Sequence, residues 1–518
     1  MTLEASVIQS LKELVGESNV LTDIEDIHVY SFEHFSKKSR YPRLGVILRV
    51  TSPEQINKII ELADKKQIQV LKRSDAADIE PRTFQPHQTL TILIDNLKQP
   101  ELCSLSDRTE KNLQRAEFEE EFHRTGHGTP RNLALALKFF LSSMPAQKCL
   151  NCRTCSGYCT VSTAFNGIET WSSKGRTMLT KALMNGDLRP SAKLIDVLHT
   201  CSLCGLCFAD CFESTQVRKA IMTARNHLVR ENQVPELLTA AAKNILRHGD
   251  PSGMHPQKRV AWTQRLLPRE ARSERADVLY WVGCVVANRT PNVAKALSNI
   301  LTQAEVNFTL LGEKEGCCGY VLLASGLWNE AKENAVRLLE RVRETHAEIL
   351  VTPCAGCYYT FTKLYPEILD IELPCKAVHA TQYLERLIRD KKIELRSLDW
   401  KVTYHDPCSL GRHSNVYEPP RNVLKAIPDL NLAEMSLNRD RSRCCGAGGG
   451  LWSYNNSVAT NSAMQKLVTD VAPLRVSGLV TACPTCHINL RNASMRKPTG
   501  NKVYDVVEVV EAAVSRRA

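Results

Sequence analysis

Eighteen of the twenty cysteines in this 518-residue chain stand in four spaced sets. Cys149, Cys152, Cys155 and Cys159 lie in "CLNCRTCSGYC", and Cys201, Cys204, Cys207 and Cys211 lie in "CSLCGLCFADC". Both runs keep the spacing C-x2-C-x2-C-x3-C. The other two sets are longer. Cys284, Cys317, Cys318, Cys354 and Cys357 follow C-x32-CC-x35-C-x2-C, and Cys408, Cys444, Cys445, Cys483 and Cys486 follow C-x35-CC-x37-C-x2-C. Thiols at this density are either crosslinked or bound to metal. Disulfides need an oxidising compartment. The start "MTLEASVIQSLKELV" sets Leu3, Val7, Leu11 and Leu14 at helical spacing and lacks the basic end and cleavage site of an export signal. Metal ligation in a reducing cytoplasm is therefore expected. Zinc sites use four ligands with longer gaps between pairs, and neighbours such as Cys444 and Cys445 share one tetrahedral ion poorly.

The two short runs resemble the ligand pattern of bacterial two-cluster ferredoxins, where the fourth cysteine of each run serves the other cluster. The resemblance implies one 4Fe–4S cubane on Cys149, Cys152, Cys155 and Cys211, and a second on Cys201, Cys204, Cys207 and Cys159. Three ligands on one short loop hold three irons of a cube, and the fourth arrives from the paired segment. Thr160 and Phe212 stand where a proline usually follows the fourth cysteine, which removes no ligand.

The two long sets belong to an internal repeat. "DVLYWVGC" (277–284) corresponds to "KVTYHDPC" (401–408), "EGCCGY" to "SRCCGAGGG", and "ILVTPCAGC" (349–357) to "GLVTACPTC" (478–486). This closely resembles the CCG cysteine-rich domain of the heterodisulfide reductase family, which also contains iron–sulfur subunits of glycolate, lactate and glycerol-3-phosphate dehydrogenases. Two cubane runs followed by two CCG copies resemble the fused catalytic subunit of membrane-type heterodisulfide reductase. The resemblance implies two non-cubane 4Fe–4S clusters as the redox-active sites, one on each five-cysteine set. A cluster longer than a cube offers adjacent irons to adjacent cysteines, which gives the doublet a use. Gly319, Gly446 and the run Gly448 to Gly450 are expected to let backbone N–H groups approach the cluster sulfurs.

Residues around the second set invite roles. His405, His413 and His487 are candidates to protonate a product thiolate, structural hydrogen bonding being the plainer role for each. Arg412 and Arg443 either hold an anionic substrate or balance cluster charge. Cys103 and Cys375 are left over as free thiols. The implied function is an oxidoreductase subunit that takes electrons through two cubanes to two non-cubane clusters and reduces a small disulfide to two thiols. The alternative is an electron conduit in a flavin-dependent 2-hydroxyacid dehydrogenase.

The elements that must position these cysteines are legible too. In each repeat an apolar strand ends on a cysteine. Helices are expected at 292–304 and 329–344, so the copies, 275–395 and 400–510, read as pseudo-symmetric Rossmann-like α/β domains with ligands at the C-terminal edge of a parallel sheet. Residues 145–250 read as a helical ferredoxin-like module, with two helices between the cubane runs. Residues 101–144 form a charged connector. Residues 1–100 alternate strands (44–50, 67–73, 89–97) with helices, among them 51–66 with Ser52 as N-cap and Gln55 closing a capping box. They resemble the start of the FAD-binding domain of glycolate- and lactate-oxidising flavoenzymes. The expected glycine-rich turn is replaced by "RSDAADIEPRT", so the domain reads as truncated with its flavin site lost, and FAD is not expected here. A docking or oligomer-interface role and a structural cap are equally open for it.

The overall class is α/β. The net charge of +11 sits beyond the first 140 residues, with no Lys/Arg-rich run to suggest nucleic acid. It suits counter-charge for anionic clusters or docking to an acidic partner. "LALALKFFL" (133–141), broken by Lys138, is far short of the ~20 residues that span a bilayer. The expected setting is cytoplasmic, with any attachment to the inner face of the membrane made through a partner. That partner would be a redox subunit of flavoprotein or membrane-cytochrome type.

Overall fold

The computed structural model describes residues 4–31, 44–50, 52–66, 68–73, 91–96, 146, 149, 152, 154–209, 211, 215–263, 276–497 and 500–514. The expected connector, Cys103 and the glycine-free stretch at 74–83 lie outside them. The chain forms two compact units. One comprises Met1–Gly157, Ile168–Leu188 and Cys211–Thr215, and the other Tyr158–Gly167, Arg189–Asp210 and Gln216–Ala518.

In the first unit four strands, β1 (Val20–Leu21), β2 (Leu44–Val50), β3 (Gln69–Arg73) and β4 (Thr91–Asn96), form a sheet in the order β1-β2-β4-β3. β2 and β3 run parallel to β4, and β1 runs antiparallel to β2. Val46, Ile47, Leu48 and Val50 are all buried, and so is Arg49 between them, as in a strand covered on both faces. The helix Ala5–Val15 buries Val7, Leu11 and Val15, spaced four apart along one face. The helix Pro53–Lys65 opens with the expected capping box: Ser52 Oγ accepts from the Gln55 N–H at 3.3 Å, and Gln55 Oε1 accepts from the Ser52 N–H at 3.3 Å. The helix Ile24–Tyr30 is tied to the 3-10 turn Glu169–Trp171. Thr170 Oγ1 donates to Asp26 at 2.5 Å, and the Glu169 N–H donates to the Tyr30 hydroxyl at 3.2 Å. The turn feeds the helix Ser173–Asn185, capped by Ser172 at its start and by left-handed Gly186 at its end.

The second unit holds two four-stranded, all-parallel sheets of identical topology. The first contains β5 (Val278–Tyr280), β6 (Phe308–Thr309), β7 (Ile349–Thr352) and β8 (Lys376–His379) in the order β6-β5-β7-β8. The second contains β9 (Lys401–His405), β10 (Asn431–Leu432), β11 (Gly478–Thr481) and β12 (Lys502–Asp505) in the order β10-β9-β11-β12. Helices Pro291–Gln303 and Trp328–Glu344 occupy the expected positions. Their buried faces, Val293, Leu297, Ile300 and Leu301 in one and Ala331, Ala335, Leu338 and Val342 in the other, follow the helical repeat. Because every strand of a sheet runs the same way, the loops after β5, β6 and β7, and those after β9, β10 and β11, gather at the C-terminal edges, and those loops carry the cysteines. No helix among the described residues is long and apolar enough to cross a membrane.

Candidate metal centres

Cys284 begins a helix shortly after β5, and Cys354 and Cys357 lie at the N-cap and third residue of the helix Ala355–Tyr359 after β7. Cys317 and Cys318 sit in the loop before the short helix Tyr320–Ala324. All five are buried. Glu315, two residues before the doublet, accepts from the Val282 and Gly283 N–H groups at 3.0 and 2.7 Å and pairs with Arg259 at 3.4 Å. One carboxylate thus fixes the Cys317 loop to the Cys284 loop. The Tyr365 hydroxyl and the Asn334 amide hold the Cys318 and Cys317 carbonyls, each at 2.9 Å. The Gly319 N–H lies 3.5 Å from Cys317 Sγ.

The second set repeats the plan with different residues. Cys408 follows β9, Cys483 is the N-cap of the helix Pro484–Arg496, and Cys486 is its third residue. Arg421 clamps Asp406 in the first loop at 2.6 and 2.9 Å and also grips Glu434. Asn489 donates to the Cys445 carbonyl at 2.7 Å, and the Gly446 N–H lies 3.3 Å from Cys444 Sγ. Gly446 has φ +86°, and a Cβ there would fall 2.6 Å from the Ala459 carbonyl oxygen, so only glycine fits.

The thiols within each set touch. Cys445 Sγ and Cys486 Sγ lie 3.1 Å apart. In both copies the second member of the doublet shares hydrogen bonds with its neighbour and with the last cysteine. These bonds pull Cys318 and Cys445 well below the ordinary thiol range, while the same contacts and burial push Cys357 and Cys486 up. Cys354 and Cys483 hydrogen-bond each other across the two copies. A single cavity of about 110 Å³ is lined by all five cysteines of the first set and by four of the second, Cys444 excepted. Tyr320, Val285, Pro251 and Trp452 supply much of its remaining wall, with Ser409, Ser453 and Thr485 contributing polar atoms.

Cys149, Cys152, Cys155 and Cys211 share the first unit, and the charges of the other three act on Cys155, whose thiol burial pushes up. Ser173 Oγ donates to the Cys155 carbonyl at 2.9 Å, and Lys181 Nζ donates to the Cys149 carbonyl at 3.0 Å. Cys159, Cys201, Cys204 and Cys207 share the second unit. Cys204 hydrogen-bonds Cys444, so the second short run adjoins the second long set.

The donor set fits iron–sulfur chemistry. Five buried sulfurs around one point exceed the four ligands of a structural zinc site, and all-sulfur donors suit iron–sulfur centres. His405 also lies within reach, its ring forming a group with Cys445 and Cys486 whose ligand atoms are within 4.8 Å of one another. Of the three flanking histidines it alone meets the set. The His413 ring bonds the Leu203 carbonyl at 3.0 Å and stacks on Tyr359, and the His487 ring bonds the Val503 carbonyl at 3.0 Å. Arg443 is engaged by Asp470 at 2.5 Å. Cys375 is a partly buried thiol packed against the apolar cluster that contains the first set.

Two features escaped the sequence. The glycine run packs tightly: a Cβ on Gly448 or Gly449 would meet the Ser202 or Cys201 carbonyl oxygen at 2.7 or 2.6 Å, so the run seats the backbone of the second short cysteine run. Arg225, fully buried, binds the carbonyls of Leu198, Cys201, Ala324 and Gly449, joining that loop to both repeats.

The CCG cysteine-rich domain family matches residues 278–362 and 402–491. The D-type subunit of the dihydromethanophenazine:CoB–CoM heterodisulfide reductase of Methanosarcina acetivorans is 30% identical over 391 residues, 72% of this chain and 94% of that protein. Its counterpart in Methanosarcina barkeri is 29% identical over the same shares. The EtfAB:quinone oxidoreductase of Syntrophomonas wolfei is 28% identical over 62% of this chain and 47% of its own length.

Proposed function

Because the chain belongs to the family of heterodisulfide reductase D-type subunits, which are iron–sulfur oxidoreductase subunits, we propose that it reduces a small disulfide to two thiols in the cavity between its two five-cysteine sets. The observation that carries this reading is the shared cavity: both sets open on the same space and meet at Cys354 and Cys483. A conduit needs one exit, whereas cleavage of a disulfide needs two electrons delivered to two sulfurs.

In this reading Cys284, Cys317, Cys318, Cys354 and Cys357 hold one non-cubane 4Fe–4S cluster, and Cys408, Cys444, Cys445, Cys483 and Cys486 hold the other. Cys149, Cys152, Cys155 and Cys211 hold one cubane, and Cys201, Cys204, Cys207 and Cys159 the second, within a ferredoxin-like module over 145–250. The two non-cubane clusters, when bound, would supply one electron to each sulfur of the disulfide. The chain does the rest. Tyr320, Val285, Pro251 and Trp452 exclude water and pack the organic part of the substrate. Ser409, Ser453 and Thr485 offer hydroxyls to its polar groups. Asn489, Tyr365, Glu315 and Arg421 hold the cysteine loops in place. In this reading residues 1–100 are a truncated flavoenzyme-like domain, for which docking or oligomer contact and a structural cap stand equally open.

The test is anaerobic purification, oxidation, and EPR with and without small thiols. A thiol-dependent signal is expected, and Cys445→Ser should abolish the second non-cubane signal while sparing the cubanes. Reducible clusters with no response to any thiol would instead favour the conduit, a reading that the quinone oxidoreductase relative keeps in view.

A further inference from the structure

The second cubane loop meets the second five-cysteine set at one guanidinium. Arg412 Nε donates to the Cys204 carbonyl at 2.9 Å, and Nη1 donates to the carbonyls of Asp440 and Ser442 at 2.8 and 2.7 Å. Nη2 is buried with no protein partner. Around the guanidinium stand Cys204, Cys408 and Cys444, thiols from both sets. The first repeat has no cation at the matching position. Asn288, four residues past Cys284 as Arg412 is four past Cys408, turns its amide to Asp250 at 2.6 Å. The two repeats share a topology and differ in charge at this point. Arg412 is also absent from the cavity wall, which argues against the alternative that it grips the substrate.

We propose that Arg412 is a positioning residue that wires the second cubane site to the second five-cysteine set, so that electrons reach that set before the first. The proposal rests on the cluster assignment above and not on the disulfide. The fork spans the Cys204 loop and the turn leading to Cys444, and so sets the separation of the two centres. Its charge lies between two centres that are anionic when loaded, and it favours the reduced form of both. The transfer itself is one electron lost by the cubane site and one gained by the five-cysteine set, with no bond made or broken. The electron is supplied by the reduced redox partner.

The test uses the loaded full-length protein with Arg412→Gln and Arg412→Lys, checked first for iron and sulfide content. In EPR-monitored redox titrations, Arg412→Gln should lower the reduced-to-oxidised ratio of both centres about tenfold at fixed potential, about 59 mV for one electron. Arg412→Lys keeps the charge and loses the fork. It should leave the titration near that of the parent while freeze-quench EPR shows slower filling of the second set. Unshifted potentials in Arg412→Gln with full iron overturn the charge role. Parental transfer in Arg412→Lys overturns the positioning, and that variant decides the matter if Arg412→Gln does not assemble. A parent protein that ignores thiols while Arg412→Gln still shifts both centres sinks the disulfide reading and supports the wiring.

Discussion

Replacing Arg225 with lysine keeps a positive charge at the junction and removes its fork. Arg225 makes five hydrogen bonds to four carbonyls, at 2.6 to 3.1 Å. A lysine ammonium has three donors, so at least two of the five bonds are lost, and a shorter reach costs more. Hydrogen bonds to charged groups contribute about 1.5–3 kcal/mol each, so Arg225→Lys should destabilise this region by about 3–6 kcal/mol. That is a large share of the roughly 5–15 kcal/mol that holds a typical domain together. The four carbonyls belong to the Leu198–Cys201 segment and to both repeats, so the loss should appear first where they meet. Urea unfolding followed by far-UV circular dichroism gives the stability change, and the visible absorption of bound iron reports the clusters in the same titration. The iron signal should fail at lower urea than the secondary structure. A variant within about 1 kcal/mol of the parent would refute the claim that this fork joins the three segments.

Other changes probe other parts of the framework. Gly446→Ala drives a Cβ against the Ala459 carbonyl and forces a left-handed backbone on alanine, so the second non-cubane EPR signal should fall while the first persists; equal loss of both would contradict the local reading. Lys174→Met removes the ammonium that lies 3.1 Å from the Glu169 carboxylate, both side chains being 1% exposed. It should cost about 3–5 kcal/mol, and, because the helix after this turn holds the Cys155 loop, iron should leave the first cubane before the second. His379 and His413 are held at about 4 and about 3, below the ordinary 6.5, chiefly by burial. Both are neutral in the folded chain and take up protons more readily when unfolded. Their contribution is therefore complete above about pH 6.5 and is lost progressively as pH falls toward 4, by up to about 1.4 kcal/mol per pH unit for each. His379→Asn retains an N-cap acceptor and should flatten that dependence by one histidine's share. An unchanged slope in urea titrations between pH 6.5 and 4 would contradict it.

The cysteine sets, the strand that ends at each, and the helices between them were readable because they obey short-range rules. Ligand spacing, apolar periodicity and caps such as Ser52 with Gln55 are local facts of the chain. The supports were not readable, because they are made between distant segments. Glu315 looks like an ordinary surface acid until the fold brings the Val282 and Gly283 amides to it. Arg225 left a faint trace: it sits on the buried stripe of its helix with Val217, Ile221, Ala224 and Leu228, a charge where the pattern wants an apolar residue. The run Gly448–Gly450 suggests backbone freedom near a cluster, whereas its smallness chiefly admits the carbonyls of Cys201 and Ser202. His413 and His487 flank the second set in sequence, yet their rings turn to the backbone at Leu203 and Val503.

The exchange of short segments between the two units bears on how the protein is made. Cys211 joins the unit of Cys149–Cys155, and Cys159 joins that of Cys201–Cys207. On the proposed ligand assignment, the second cubane set is complete at residue 207 and the first at residue 211, and the long sets are complete at residues 357 and 486. The nascent chain must therefore carry the early thiols of each set reduced and empty until the last member of that set emerges. Iron–sulfur insertion is thereby staged along synthesis, and a ribosome stalled before residue 207 would release a product with no complete site.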